Sequence, residues 1–168
     1  MAGQVARFEL RAATEGDADA IAAIWAAGWR DGHVGNVPEE LVAARTDESF
    51  RTRARGLVPG TTVATVDDAI AGFVTVVGDE LDQVYVAEGH RGSGVADALL
   101  SDAERRVAAA GYPEAWLVVV PGNDRALAFY ERNGWSDGGL FDHPAPTDGE
   151  PVPVRSHRYT KRISVPDA

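Results

Sequence analysis

The chain has no cysteine, which excludes disulfides, thiolate metal sites and a cysteine nucleophile. No apolar run approaches the roughly 20 residues that cross a bilayer. The first ten residues, MAGQVARFEL, lack the apolar stretch of a signal peptide. A cytoplasmic protein without a membrane association is therefore expected. Positive charge is scarce: 16 Lys and Arg stand against 26 Asp and Glu, a net charge of −10. A field of that sign repels nucleic acid and anionic membranes and favours cationic ligands such as amines. The four histidines, His33, His90, His143 and His157, are scattered without metal-ligand spacing, so no metal is expected. The basic residues that exist cluster as Arg45, Arg51, Arg53 and Arg55, and again as Arg155, Arg158, Lys161 and Arg162. By spacing alone each cluster reads as a solvated face.

What is present suits one globular domain over 1–168, with 45% hydrophobic and 25% charged residues and enough length to bury a core. Phe8 to Ala12 alternates as a first strand. Thr14, with Asp17 three residues on, opens a helix whose face carries Ile21, Ile24, Trp25, Gly28 and Trp29. Pro38 starts a second helix, and a short one covers Asp47 to Arg55. Thr61–Val66, Ala69–Val77 and Glu80–Val86 read as three successive antiparallel strands, the first two joined through Asp67 and Asp68. Val95, Leu99, Ala103 and Val107 then recur on one helical face that stops at Gly111. Ala115–Val120 is a continuous apolar run, the pattern of a strand buried on both faces. Asn123 is a natural N-cap for a helix over Asp124–Asn133. Strands near Trp135–Phe141 and Val154–Ile163 follow, with Asp142–Pro153 between them as a proline-rich loop. The expected fold is α+β: a mostly antiparallel twisted sheet of about seven strands flanked by about four helices.

The chemistry concentrates at Arg91-Gly92-Ser93-Gly94-Val95-Ala96, where a strand passes through glycines directly into a helix. A helix start offers unpaired N–H groups and the positive end of a dipole, and glycine lets a ligand approach the backbone. That combination suits phosphate or pyrophosphate. A Walker loop fails because no Lys follows Gly94. The dinucleotide fingerprint fails because Asp97 stands where its last glycine belongs. The hydrolase elbow fails because Arg91 and Val95 flank Ser93. A glycine-rich helix start with no ligand remains the alternative at this point.

A second segment follows the apolar run: Asn123, Ala126, Phe129 and Tyr130, then Gly134 and Trp135. The two segments together resemble the GCN5-related N-acetyltransferase (GNAT) superfamily. Its motif Arg/Gln-x-x-Gly-x-Gly/Ala is matched by Arg91, Gly94 and Ala96. Its motif Asn-x-x-Ala-x-x-Phe-Tyr-x-x-x-Gly-Phe is matched with Trp135 for the last aromatic. The resemblance spans about residues 8–163 and is most specific over 80–135.

The resemblance implies a sheet splayed between its fourth and fifth strands, with acetyl-CoA as co-substrate lying in the opening. The pantetheine would pair with the backbone of Val84, Tyr85 and Val86, the pyrophosphate with N–H groups from Arg91 to Ala96, and Asn123 with the pantetheine arm. Ala126, Phe129 and Tyr130 complete the cofactor side. A lysine-like amine has a pKa of about 10.4, so attack at neutral pH calls for a base. Glu80 is the first choice, and Asp82, on the same face by strand alternation, is the reserve. Val118 and Val119 leave no base on the next strand. Tyr130 would protonate the leaving thiolate, and the Val86 N–H would serve the carbonyl oxygen. Trp29 and His33 fall in a segment that borders the acceptor cleft in relatives. The expected activity is acetylation of a primary amine on a small molecule by direct attack. A protein or peptide acetyltransferase and a non-catalytic acyl-CoA-binding module are the alternatives. Homodimers are common in the superfamily, so a monomer or a homodimer is expected.

Overall fold

The structure, a computed structural model, describes residues 7–163. The first six residues of the stretch read for a signal peptide lie outside them. In chain order the elements are β1 (Glu9–Ala12), α1 (Ala18–His33), α2 (Glu39–Ala44), α3 (Asp47–Leu57), β2 (Thr61–Val66), β3 (Ala69–Val77) and β4 (Glu80–Val86). Then follow α4 (Val95–Ala109), β5 (Glu114–Val119), α5 (Asp124–Arg132), β6 (Ser136–Ala145) and β7 (Val152–Arg162). The seven strands form one sheet in the order β1-β2-β3-β4-β5-β7-β6. Every neighbouring pair is antiparallel except β4 and β5. The crossover between that parallel pair is α4, the long connection parallel strands require.

Helices cover both faces. Val95, Leu99, Leu100, Ala103 and Val107 of α4 pack with Val74, Leu81, Leu117 and Tyr159 from the sheet. On the opposite face Ile21, Ala22, Trp25 and Trp29 of α1, with Phe50 and Ala54 of α3, pack on Val63 and Phe73. The helical spacing of the apolar residues assigns each helix its buried side, and burying them supplies the driving force. Asp67 and Asp68 both take positive φ (50° and 65°), the two-residue hairpin turn that acidic residues tolerate.

Several details differ from the sequence reading. Thr14 leads into a 3₁₀ turn (Glu15–Asp17) before α1 begins, where its N–H donates to Asp17 at 2.8 Å. The segment 38–57 holds the two short helices read there, which with the others makes five described α-helices where about four were expected in all. Half of the proline-rich stretch is strand: β6 runs on to Ala145 and β7 begins at Val152, with Pro144 opposite Pro153. Proline is compatible with that hairpin because β6 is an edge strand with half its amides unpaired. β5 is buried only at alternate positions, Ala115, Leu117 and Val119, because it borders an opening in the sheet.

Candidate active site

The opening arises at the parallel junction. β4 and β5 share one ladder pair, Glu80 with Trp116. Trp116 closes that end by donating its backbone N–H to Asp79 O at 3.1 Å and its indole N–H to Asp79 Oδ1 at 2.9 Å. Beyond this pin the strands diverge. The Ala87 N–H donates to Ala71 O on β3 at 2.8 Å. Strand alternation then turns the N–H groups of Val86 and Val84 away from β3, into the gap facing β5.

A cleft of about 1190 Å³ fills this gap and continues past it. One end is the glycine turn. Gly92 and Gly94 have φ of +77° and +90°, a backbone region that disfavours side chains, and Gly94 is the N-cap of α4. Open space surrounds Gly92, so nothing blocks a ligand there. The Ser93 hydroxyl is turned back onto the His90 carbonyl and Val95 is fully buried in the core. These two therefore offer a cradle their backbone alone. The first turn of α4 presents its free N–H groups to the same cleft. Arg91 is held aside by Asp31 at 3.1 Å.

The middle of the cleft is lined by Asn123, Ala126, Phe129 and Tyr130 of the β5–α5 region. Asn123 occupies the N-cap position but makes no side-chain cap bond. Its amide packs instead on Gly32 of α1, where a Cβ would meet Nδ2 at 2.6 Å. Tyr130 is 9% exposed and packs edge-on with Phe129 and Trp135. Burial raises the phenol well above its usual range, so it keeps its proton at neutral pH.

The far end holds Glu80, Asp82, Tyr85, Trp29 and His33. β4 carries a bulge: Leu81 faces Val76 and Gln83 faces Thr75, leaving Asp82 as an extra residue without a partner. Alternation holds up to that point, so Leu81 turns into the core under α4 while Glu80 and Asp82 meet in the cleft. Burial first, then the Asp82 carboxylate, pushes the Glu80 carboxyl up to about 7. Tyr85 lies under α1, where a Cβ on Gly28 would collide with its ring. The His33 ring stacks flat on Trp29 (centroids 4.6 Å apart, planes within 4°). Its Nδ1 bonds the Trp29 carbonyl at 2.8 Å. Burial lowers His33 to about 4, so the ring is neutral; Nδ1 carries the hydrogen and Nε2 remains an acceptor.

Three cleft residues were not anticipated as such. Arg45, Arg53 and His143 line this end, and the arginine cluster is not the solvated face its spacing suggested. Arg45 is buried while Arg51 and Arg55 are exposed. The signal lay in helical phase: Arg53 falls three residues after Phe50 and one before Ala54, on the inward side of α3. Among the described residues no group of three or more His, Asp or Glu could hold a metal ion. Nor is any described helix long and apolar enough to cross a membrane.

A split sheet with a glycine-capped helix on one side of the gap defines a class of group-transfer fold that holds an extended, phosphate-bearing co-substrate. The chain belongs to the acetyltransferase (GNAT) family, whose sequence profile matches residues 20–135. It is an acetyltransferase, with acetyl-CoA as the acetyl donor. No curated protein sequence matches it significantly. Similar solved structures include a GCN5-related N-acetyltransferase from Rhodopseudomonas palustris, 24% identical over 92% of this chain and 95% of that one, with a TM-score of 0.72. A ribosomal-protein-alanine N-acetyltransferase from Brucella melitensis is 18% identical over 92% and 99%, with a TM-score of 0.70. A phosphinothricin acetyltransferase from Sinorhizobium meliloti, in complex with acetyl-CoA, is 17% identical over 94% and 89%, with a TM-score of 0.68. At these identities the likeness is one of fold.

Proposed function

We propose that the protein acetylates a primary amine of a small molecule by direct attack on acetyl-CoA. The observation that carries this reading is one continuous cleft that contains the glycine turn, the splayed strands, Tyr130 and a Glu80 carboxyl poised near neutrality. Acetyl-CoA supplies the acetyl group as a thioester and departs as a thiol. The backbone of Val84, Tyr85 and Val86 would hold the pantetheine as an added strand, with Asn123, Ala126 and Phe129 on its other side. The N–H groups between Arg91 and Ala96 would hold the pyrophosphate.

Glu80 would accept the ammonium proton and free the lone pair that forms the C–N bond; Asp82 keeps the Glu80 carboxyl basic enough for the task. The Val86 N–H would donate to the carbonyl oxygen as charge gathers there. Tyr130 would give its proton to the sulfur as the C–S bond breaks. The second nitrogen proton leaves as the amide forms and restores Tyr130 through solvent. Trp29 and the bare Nε2 of His33 would line the amine's approach. The walls given to this end of the cleft by α1 and by the β6 residues His143 to Ala145 favour a small acceptor over a peptide. A cytoplasmic location, a single domain over 1–168 and a monomer or homodimer complete this reading.

The test is release of free thiol from acetyl-CoA across an amine panel, with Tyr130→Phe and Glu80→Gln beside the wild type. An acetyltransferase built this way loses about 100-fold in turnover in Y130F while still binding CoA. Normal turnover in both variants would remove these catalytic assignments, and no turnover on any amine by the wild type would remove the reading itself.

A further inference from the structure

The chain is strongly acidic, with 26 Asp and Glu against 16 Lys and Arg. Two guanidinium groups nevertheless stand at the acceptor end of the cleft without a carboxylate against them. Arg45 is 6% exposed, and its Nε has no hydrogen-bond partner. Its guanidinium lies 5.9 Å from the Trp29 ring, and that of Arg53 lies 4.5 Å from the Trp25 ring. Among the described residues neither makes an ion pair within 4.0 Å. The carboxylates whose fields reach them, Asp148 for Arg45 and Asp82 for Arg53, both lie beyond that distance. Burial, and then Arg53, hold Arg45 down to about 10, a sign that its charge is poorly compensated.

Two like charges drawn out of water and left unpaired are costly, and a bound anion offsets that cost. The guanidinium fork matches the two oxygens of a carboxylate or of a phosphorus oxoacid. Across the same space Glu80 and Asp82 present negative charge. The acceptor end is thus dipolar, with cationic groups contributed from just beyond α2 and from α3 and anionic groups from the start of β4. A plain polyamine would match only one of its walls.

We infer that the acceptor is a zwitterion, a small amine carrying a carboxylate or an equivalent phosphorus oxoanion, with the oxoanion seated on Arg45 and Arg53 and the amino group facing Glu80 and Asp82. This deepens the proposed function and rests on it. It also reverses the expectation from net charge alone, which favoured simple cations.

The experiment compares matched acceptors on the full-length protein with acetyl-CoA: the L-amino acids, their decarboxylated amines, and 1-aminoalkylphosphonates of the same skeletons. The expected result is at least a tenfold higher kcat/KM for the acids than for the matched amines. That preference collapses in Arg53→Gln and in Arg45→Gln, and Arg45→Lys recovers it in part. Arg53 is less deeply buried than Arg45, so R53Q guards against a failure of R45Q to fold. The phosphonate arm separates a carboxylate seat from a phosphorus oxoanion seat. Amines equal to or better than their acids would overturn the inference while leaving the acetyltransferase reading intact. If neither series is acetylated, that reading fails, and calorimetry of the CoA-loaded protein with the L-amino acids decides the anion seat alone. No binding overturns the inference; binding lost in R53Q supports it.

Discussion

The two ends of the cleft are made of different material. The cofactor end is largely backbone: the N–H groups of β4, the turn from Arg91 to Ala96 and the start of α4, shaped by two glycines in left-handed conformations. The acceptor end is side chains gathered from four elements, with Trp29 and His33 from α1, Arg45 beyond α2, Arg53 from α3 and Glu80 from β4. A backbone site depends on a few conformations and tolerates varied side chains nearby. A side-chain site depends on which residues the packing brings together, so it changes with each substitution. Acetyl-CoA, common to the family, thus meets the backbone-built end, and the acceptor meets the variable one.

The largest test of this contrast is Glu80→Gln. Removing the base should cut kcat/KM about 100- to 1000-fold and leave acetyl-CoA affinity unchanged, as read by steady-state kinetics and calorimetry. In the wild type kcat/KM should climb as pH rises through about 7, where Glu80 loses its proton, and E80Q should lack that limb. Stability moves the other way. The unfolded carboxyl ionises near 4.5 and the folded one near 7, so the folded state binds more protons between those values and loses stability as pH rises across them. At pH 8 E80Q should therefore melt higher than the wild type, by about 1–2 kcal/mol after allowance for solvent screening at this half-exposed site.

Gly94→Val tests the backbone end. A side chain at φ +90° costs about 1–2 kcal/mol. The acetyl-CoA Kd should rise about tenfold, while the acceptor KM stays near its wild-type value. An effect on the acceptor alone would break the division between the two ends. Gly28→Ala probes the opposite end. Its methyl displaces the Tyr85 ring, so acceptor KM should rise several-fold and stability fall by about 1–3 kcal/mol by thermal denaturation. The smallest effect is expected for Asp79→Ala, which strands the Trp116 indole N–H and costs about 1 kcal/mol. It also removes one negative neighbour of Glu80, so the acidic limb of the rate profile should move to lower pH.

How far each end was legible in the sequence follows from the same difference. The glycine turn is local, six consecutive residues between a strand and a helix, so its chemistry could be read from spacing. The opening between the fourth and fifth strands followed once Asn123 to Trp135 had been matched to a known family, but the order of the strands, with β7 between β5 and β6, was not read. Glu80 was chosen as the base from its place at a strand start. Its meeting with Asp82 follows the alternation read there, since Leu81 between them turns into the opposite core, and the extra residue on β4 changes the phase only from Gln83 onward, which no local pattern announces. Arg45 and Arg53 were misread because their neighbours Arg51 and Arg55 are solvent-facing; the phase of Arg53 against Phe50 and Ala54 was the overlooked signal, whereas Arg45, at the end of α2, is buried by tertiary packing that no local pattern shows. The extent of β6 was missed because four prolines imitate a loop, while the structure takes Pro144 onto edge strand β6 and Pro153 onto β7 and leaves only Pro146 and Pro151 in the connection.

The pin at Trp116 has a mechanical consequence. Between β1–β4 and the β5–β7–β6 group, the hydrogen-bonded sheet is continuous through one residue pair, Glu80 with Trp116, and the α4 core packs against strands of both blocks. The molecule is in that sense two small sheets hung from a shared beam and clasped at one corner. Force drawn across the sheet would run through the clasp first. A pantetheine paired into the gap would act as the missing rungs, so the substrate that is consumed in each cycle would also brace the frame that uses it.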